Sequence, residues 1–177
     1  ICLVTIKVAG EMGLNNWYVN DVGFIFTNES SDIAEIKYGI DGKWQTYTEP
    51  FYLSDDGEYI CLEWYAVDFK GNQSDIDGPF LFNIDQTPPV LRLSFEGIYN
   101  NQWQGWDIIV TANETDATSG MDRVEFYKND VLQKTVTGHG PVYQWTFKYY
   151  GVLNIYVGAK AFDKAGNYLF GEELINS

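Results

Sequence analysis

Apolar and polar residues alternate along most of the chain with a period of two, the signature of half-buried β-strands rather than helices. Residues 3–8 alternate up to Gly10, which puts Val4, Ile6 and Val8 on one face. A polar turn through Gly13-Leu14-Asn15-Asn16 leads to a second predicted strand over residues 18–27, with Val22, Phe24 and Phe26 inward. A third strand over residues 33–40 stops at Asp41-Gly42, a dipeptide suited to a two-residue hairpin. A short strand over residues 44–47 follows, and Pro50 opens a segment to Leu53 that fits a sheet edge. After the turn Ser54-Asp55-Asp56-Gly57 comes a long strand over residues 58–68, where Ile60, Leu62, Trp64 and Ala66 share a face. A last strand carries Phe80, Phe82 and Ile84 inward, and no helical period interrupts the series.

The pattern then repeats. Ala66-Val67-Asp68-Phe69-Lys70-Gly71-Asn72 returns as Ala161-Phe162-Asp163-Lys164-Ala165-Gly166-Asn167, an A-x-D-x-x-G-N motif that closes a long apolar strand each time. In each copy the Asp carboxylate can accept bonds from N–H groups just ahead, and the Gly supplies the positive φ of a tight turn. Asp68, Gly71, Asn72, Gly166 and Asn167 are therefore expected to form turns. A motif recurring at domain-scale spacing means two copies of one unit. The boundary is Asp85-Gln86-Thr87-Pro88-Pro89, where two prolines forbid a continuous sheet and make a short stiff hinge. The expectation is all-β, with tandem antiparallel β-sandwiches over 1–85 and 86–177. In the second, Leu91, Leu93 and Phe95 alternate up to Gly97, and Ile108, Val110 and Ala112 match Val22, Phe24 and Phe26. Val124-Glu125-Phe126-Tyr127 precedes an Asn129-Asp130 turn, and Leu153, Ile155, Val157, Ala159 and Ala161 form the long inward face. A loop over residues 113–120 is longer than its counterpart in the first copy.

Composition changes little in the fold but narrows function. Aromatic residues make up 17% of the chain, enough apolar bulk for two small cores, so the net charge of −14 does not imply disorder. Residues 1–85 hold 15 acids against 4 bases and residues 86–177 hold 10 against 7, so the excess sits in the first half. That acidity argues against nucleic acid and anionic membrane surfaces as partners. No run of about 18 apolar residues could insert into a membrane. The first residues, Ile1-Cys2-Leu3-Val4, read as the middle of a strand, so the chain is expected to be flanked by further domains.

D-x-T-P-P at the boundary, a D-x-x-S-G loop ending at Gly120, the V-E-F-Y strand and A-x-D-x-x-G-N together resemble the immunoglobulin-like repeat modules of prokaryotic secreted and cell-surface proteins. In the first copy, I-D-G-x-W-x-x-Y-T-x-P-F over residues 40–51 resembles another branch of the same group. The resemblance implies seven-stranded sandwiches in an extracellular setting, and a role as stalk, spacer or adhesive tip. In some such modules a Lys and an Asn form an isopeptide bond. Lys7 is the candidate here, and its parity points outward. The D-x-x-S-G loop is degraded in the first copy, where Glu29 or Ser30 stands for the leading Asp.

Reactive constellations are scarce. His139 is the single histidine, in a predicted hairpin loop, and no nucleophile-elbow motif accompanies it. Cys2 and Cys61 have opposite parity relative to their strands, so free thiols are expected rather than a disulfide. No enzymatic activity is expected. Three sequons, at Asn28, Asn72 and Asn113, fall in predicted turns. Of the six tryptophans, Trp64, Trp106 and Trp145 fit the cores. Trp17, Trp44 and Trp103 lie near turns or edges, and Trp44 and Trp103 are the candidates for stacking on sugar rings. Finally, sandwich topology places the loops bearing Asp116 and Asp163 at the end where the chain comes in from Asp85. These three carboxylates are the expected ligands of Ca²⁺, a hard cation that takes oxygen donors from flexible loops. The functional expectation is a non-catalytic extracellular segment, a spacer or adhesive stalk of a larger cell-surface protein. Its partner would be an extracellular protein or a glycan. The alternative is an accessory, carbohydrate-binding module of a secreted polysaccharide-degrading enzyme.

Overall fold

The computed structural model describes residues 4–138 and 140–176. The chain divides into two units between Gln86 and Thr87, one residue after the expected boundary.

In the first unit, alternating side chains build β1 (Val4–Ala9), β2 (Trp17–Tyr18), β3 (Val22–Asn28), β4 (Ile33–Ile40), β5 (Lys43–Thr46), β6 (Phe51–Leu53), β7 (Gly57–Asp68) and β8 (Asp77–Ile84). One sheet has the order β1-β3-β6 and the other β2-β8-β7-β4-β5. Val22, Phe24, Leu62, Ala66, Phe82 and Ile84 form the core between them. Phe51 of edge strand β6 stacks on Tyr38 at 4.2 Å between ring centroids, so even a three-residue strand is anchored by an aromatic pair. The single strand expected over residues 18–27 is two. The Val19 N–H bonds back to the Glu11 carbonyl at 3.0 Å, and the Glu11 N–H bonds to Asn20 Oδ1, which pulls the chain out of one sheet before β3. The short strand β2 instead runs parallel to the end of β8. That placement buries Trp17, which was expected near the surface.

The second unit comprises β9 (Val90–Asn100), β10 (Gly105–Thr115), β11 (Met121–Lys128), β12 (Val131–Thr137), β13 (Val142–Tyr149), β14 (Asn154–Asp163) and β15 (Tyr168–Asn176). Its sheets are β13-β10-β9 and β12-β11-β14-β15. Ile108, Val110, Phe126, Ile155, Val157 and Ile175 fill the space between them. Three features differ from the sequence reading. The first strand continues past Gly97 to Asn100, because Gly97 faces Ile108 closely: an added Cβ would lie 3.2 Å from the Ile108 side chain. The strand β10 continues to Thr115, paired with Val90, so residues 113–115 are strand and only 116–120 are loop. Asn113 is thus a strand residue rather than a turn sequon. The segment between β12 and β13 is not a hairpin loop, since the two strands lie in different sheets. His139 itself lies outside the described residues, as does Cys2, while Cys61 is a free thiol.

Leaving aside β2, both units divide their seven strands alike. The first, second and fifth share one sheet, and the third, fourth, sixth and seventh share the other. Each unit is thus a two-sheet antiparallel sandwich of the immunoglobulin-like architecture. The hairpins use the conformations their residues favour. Asp41-Gly42 and Asn129-Asp130 have positive φ at both positions (49° and 76°, 45° and 63°), as type I′ turns require.

Gly71 has φ 84° and nothing within 4 Å of an added Cβ, so a substitution there is resisted by the backbone and not by packing. Gly71→Val is expected to destabilise the first unit by more than about 1 kcal/mol, and Gly71→Asn by less, because Asn tolerates left-handed backbone. Urea denaturation of both variants checks this; equal midpoints for Val and Asn would contradict it.

Candidate functional site

The repeated Asp turn is built alike in both units. Asp68 Oδ1 accepts the Lys70 and Asn72 N–H groups at 2.8 Å each, and the Asn72 side chain donates to Oδ2. The Asn72 side-chain and backbone bonds hold the Asp68 carboxyl below its ordinary pKa. Asp163 Oδ1 accepts the Gly166 and Asn167 N–H groups at 2.7 and 2.9 Å. Gly71 and Gly166 both have positive φ, 84° and 103°. The surroundings differ. Asp68 closes a strand near solvent, whereas Asp163 is fully buried.

What surrounds Asp163 within its unit is the 116–120 loop. Asp163 pairs with Met121 across β14 and β11, the Lys164 N–H bonds to the Gly120 carbonyl at 2.9 Å, and the Ala165 N–H bonds to Ser119 Oγ at 3.2 Å. The loop is shaped by Asp116, whose Oδ1 accepts the Thr118 and Gly120 N–H groups. Carboxylate oxygens of Asp116 and Asp163 lie within 4.8 Å of each other. Asp85, the third carboxylate expected, follows β8 in the first unit, where its N–H bonds to the Tyr18 carbonyl at 2.9 Å.

Glu114 was not singled out from the sequence. It follows Ile108, Val110 and Ala112 at the next inward position of β10 and is 1% exposed. Neither carboxylate oxygen has a hydrogen-bond partner. Burial alone pushes its pKa up to about 7. It borders a cavity of about 220 Å³ whose walls also include Asp116, Gly120, Met121, Pro141 and Lys164. The signal was legible as one more step of the alternation, but with the strand ended at Ala112 the residue fell in a loop. In the first unit the matching position after Phe26 is Asn28, which is neutral and exposed.

The two candidate aromatics differ. Trp44 on β5 is 40% exposed, leans on Tyr65 at 5.0 Å between centroids, and borders a groove of about 550 Å³. Asp41, Lys43, Gln45, Asp55 and Glu58 line the same groove, a mixture of donors and acceptors beside an aromatic face. Trp103 is half-buried. Its ring meets the edge of Tyr150 at 4.9 Å and lies under the Lys148 ammonium at 5.0 Å, and its face is packed on Gly105.

No protein-family model and no curated protein matches the sequence. Among solved structures, the chain is similar to one described as "Structures of Clostridium thermocellum CbhA fibronectin(III)-like modules". The identity is 16% and the TM-score 0.43, with 98% of this chain and 93% of that chain covered. No helix among the described residues is long and apolar enough to cross a membrane.

The raised pKa of Glu114 has a stability consequence of definite sign. The folded chain holds this proton more tightly than the unfolded chain, so stability is lost as pH rises from about 4.5 to about 7, and the full cost is present above that. A shift of that size corresponds to about 3 kcal/mol. In EDTA, Glu114→Gln should gain on the parent between pH 4.5 and pH 8 by up to that amount in the transition of the second unit. Denaturation curves at the two pH values measure it, and a constant difference between the proteins would count against it.

Proposed function

We propose that the chain is a non-catalytic pair of sandwich modules, acting as a spacer or adhesive stalk of a larger extracellular, cell-surface protein. The observation that carries this reading is what the repeat contains. The motif common to both units is a turn whose Asp carboxylate is bonded to the turn's own amides, which is architecture and not reactive chemistry. Two units of one strand order, each with its own core, suit a segment whose task is length and rigidity.

A second reading, a carbohydrate-binding accessory module of a secreted polysaccharide-degrading enzyme, is favoured by Trp44. A half-exposed indole beside a groove of carboxylates, an amide and an ammonium group suits a sugar ring, which offers a flat apolar face and a rim of hydroxyls. Trp103 has less open ring to offer. The spacer reading expects no binding by the 177-residue chain across a broad glycan array. Binding that disappears in Trp44→Ala would replace it with the second reading.

We further propose that Ca²⁺ is a ligand of the second unit, held by Asp116 and Asp163. Carboxylates with oxygens within 4.8 Å of each other repel, a cation between them removes that repulsion, and oxygen-only donors on a loop suit Ca²⁺. Calcium should raise the melting temperature relative to EDTA and give a binding heat that Asp116→Ala removes. Superimposable melting curves at millimolar calcium would end the proposal.

A further inference from the structure

Glu114 is where the second unit departs from its own pattern. The inward stripe of β10 runs Ile108, Val110, Ala112 and then Glu114, so a carboxylate stands where the alternation calls for an apolar side chain. Both its oxygens are buried and unpartnered. A carboxylate left so is costly, and protonation alone would still leave a donor and an acceptor unmet. Beside it lies a cavity of about 220 Å³ with Asp116 on its wall. Asp116 commits Oδ1 to the loop amides, which leaves its second oxygen for a ligand.

We infer that this cavity is a calcium-binding site of the second unit in which Glu114 supplies a carboxylate ligand from the strand, opposite Asp116 from the loop. The inference deepens the calcium reading at Asp116, the carboxylate common to both, and rests on it. A bound cation satisfies both Glu114 oxygens at once, which a proton does not, and no side chain of the cavity wall bonds to either oxygen. The cavity is roomy: at roughly 30 Å³ per water it holds an ion with several waters, so the coordination shell is part protein and part solvent. The Lys164 ammonium on the same wall opposes a second positive charge. Both features place the affinity in the range of roughly 0.1–1 mM that is usual for extracellular modules. The first unit has neutral, exposed Asn28 at the matching position and lacks the site.

The test is calcium calorimetry and thermal melting on the whole chain, comparing the parent with Glu114→Gln and Glu114→Met. The Met variant continues the apolar stripe of β10 and is the safer one to fold. The expected result is a loss of calcium affinity of at least about tenfold in both variants. In EDTA at pH 8 both should melt above the parent, a reversal of sign that loss of ordinary packing does not produce. Unchanged affinity in the variants, with Asp116→Ala still abolishing binding, would overturn the role of Glu114 and leave the Asp116 and Asp163 reading standing. No binding by the parent at millimolar calcium would overturn both.

Discussion

Each unit depends on one constraint: the central strands of its two sheets must keep an unbroken inward stripe. Sheets pack about 10 Å apart, so every second residue has to fill the gap. Val22, Phe24 and Phe26 on β3 face Leu62 and Ala66 on β7, and Ile108, Val110 and Ala112 on β10 face Ile155, Val157, Ala159 and Ala161 on β14. The two cores solve the problem differently. The first uses rings, with Phe24, Phe26, Tyr38, Phe51 and Phe82 in mutual contact. The second mixes aliphatic residues and alanines on β10 and β14 with rings of Phe126, Tyr143 and Trp145.

The same constraint explains where polar chemistry collects. Turn carboxylates such as Asp163 and Asp116 each give one oxygen to the amides of the loop that follows, where strands stop and N–H groups need partners. Glu114 is different because it lies on the stripe itself, one step before the loop. A charged residue at that position weakens the bare fold, and natural chains tolerate such a loss where a ligand or partner compensates.

Much of this was legible in the alternation. Val22, Phe24, Leu62, Val110, Val157 and Ala161 are all inward by parity and all buried. The hairpins at Asp41-Gly42 and Asn129-Asp130 followed from residues that accept positive φ. What was not legible depended on partners distant in sequence. Residues 18–27 carry a continuous strand signal, yet bonds from Val19 and Asn20 to Glu11 divide them and bury Trp17. Gly97 reads as a stop, yet it is where Ile108 comes close across the strand pair. The polar run Asn113-Glu114-Thr115 reads as the start of a loop, although pairing with β9 keeps those residues extended. Of the candidate site, the turn carboxylates were visible as motifs, whereas Glu114 required knowing how far β10 runs.

The two-residue strand β2 has a consequence for self-association. A sheet ends in a row of unpaired amides and carbonyls, to which a strand from another molecule can attach. In the first unit β8 is such a rim, but Trp17 and Tyr18 occupy its last two residues and Pro79 removes a donor near its start. The stretch around Leu81 is left uncovered, interrupted by Pro79. The corresponding rim of the second unit, β15, runs nine residues and relies on charge, with Glu172 and Glu173 placed midway along it. At this rim one unit relies on a covering strand and the other on repulsion, so screening salt weakens the protection of β15 more than that of β8.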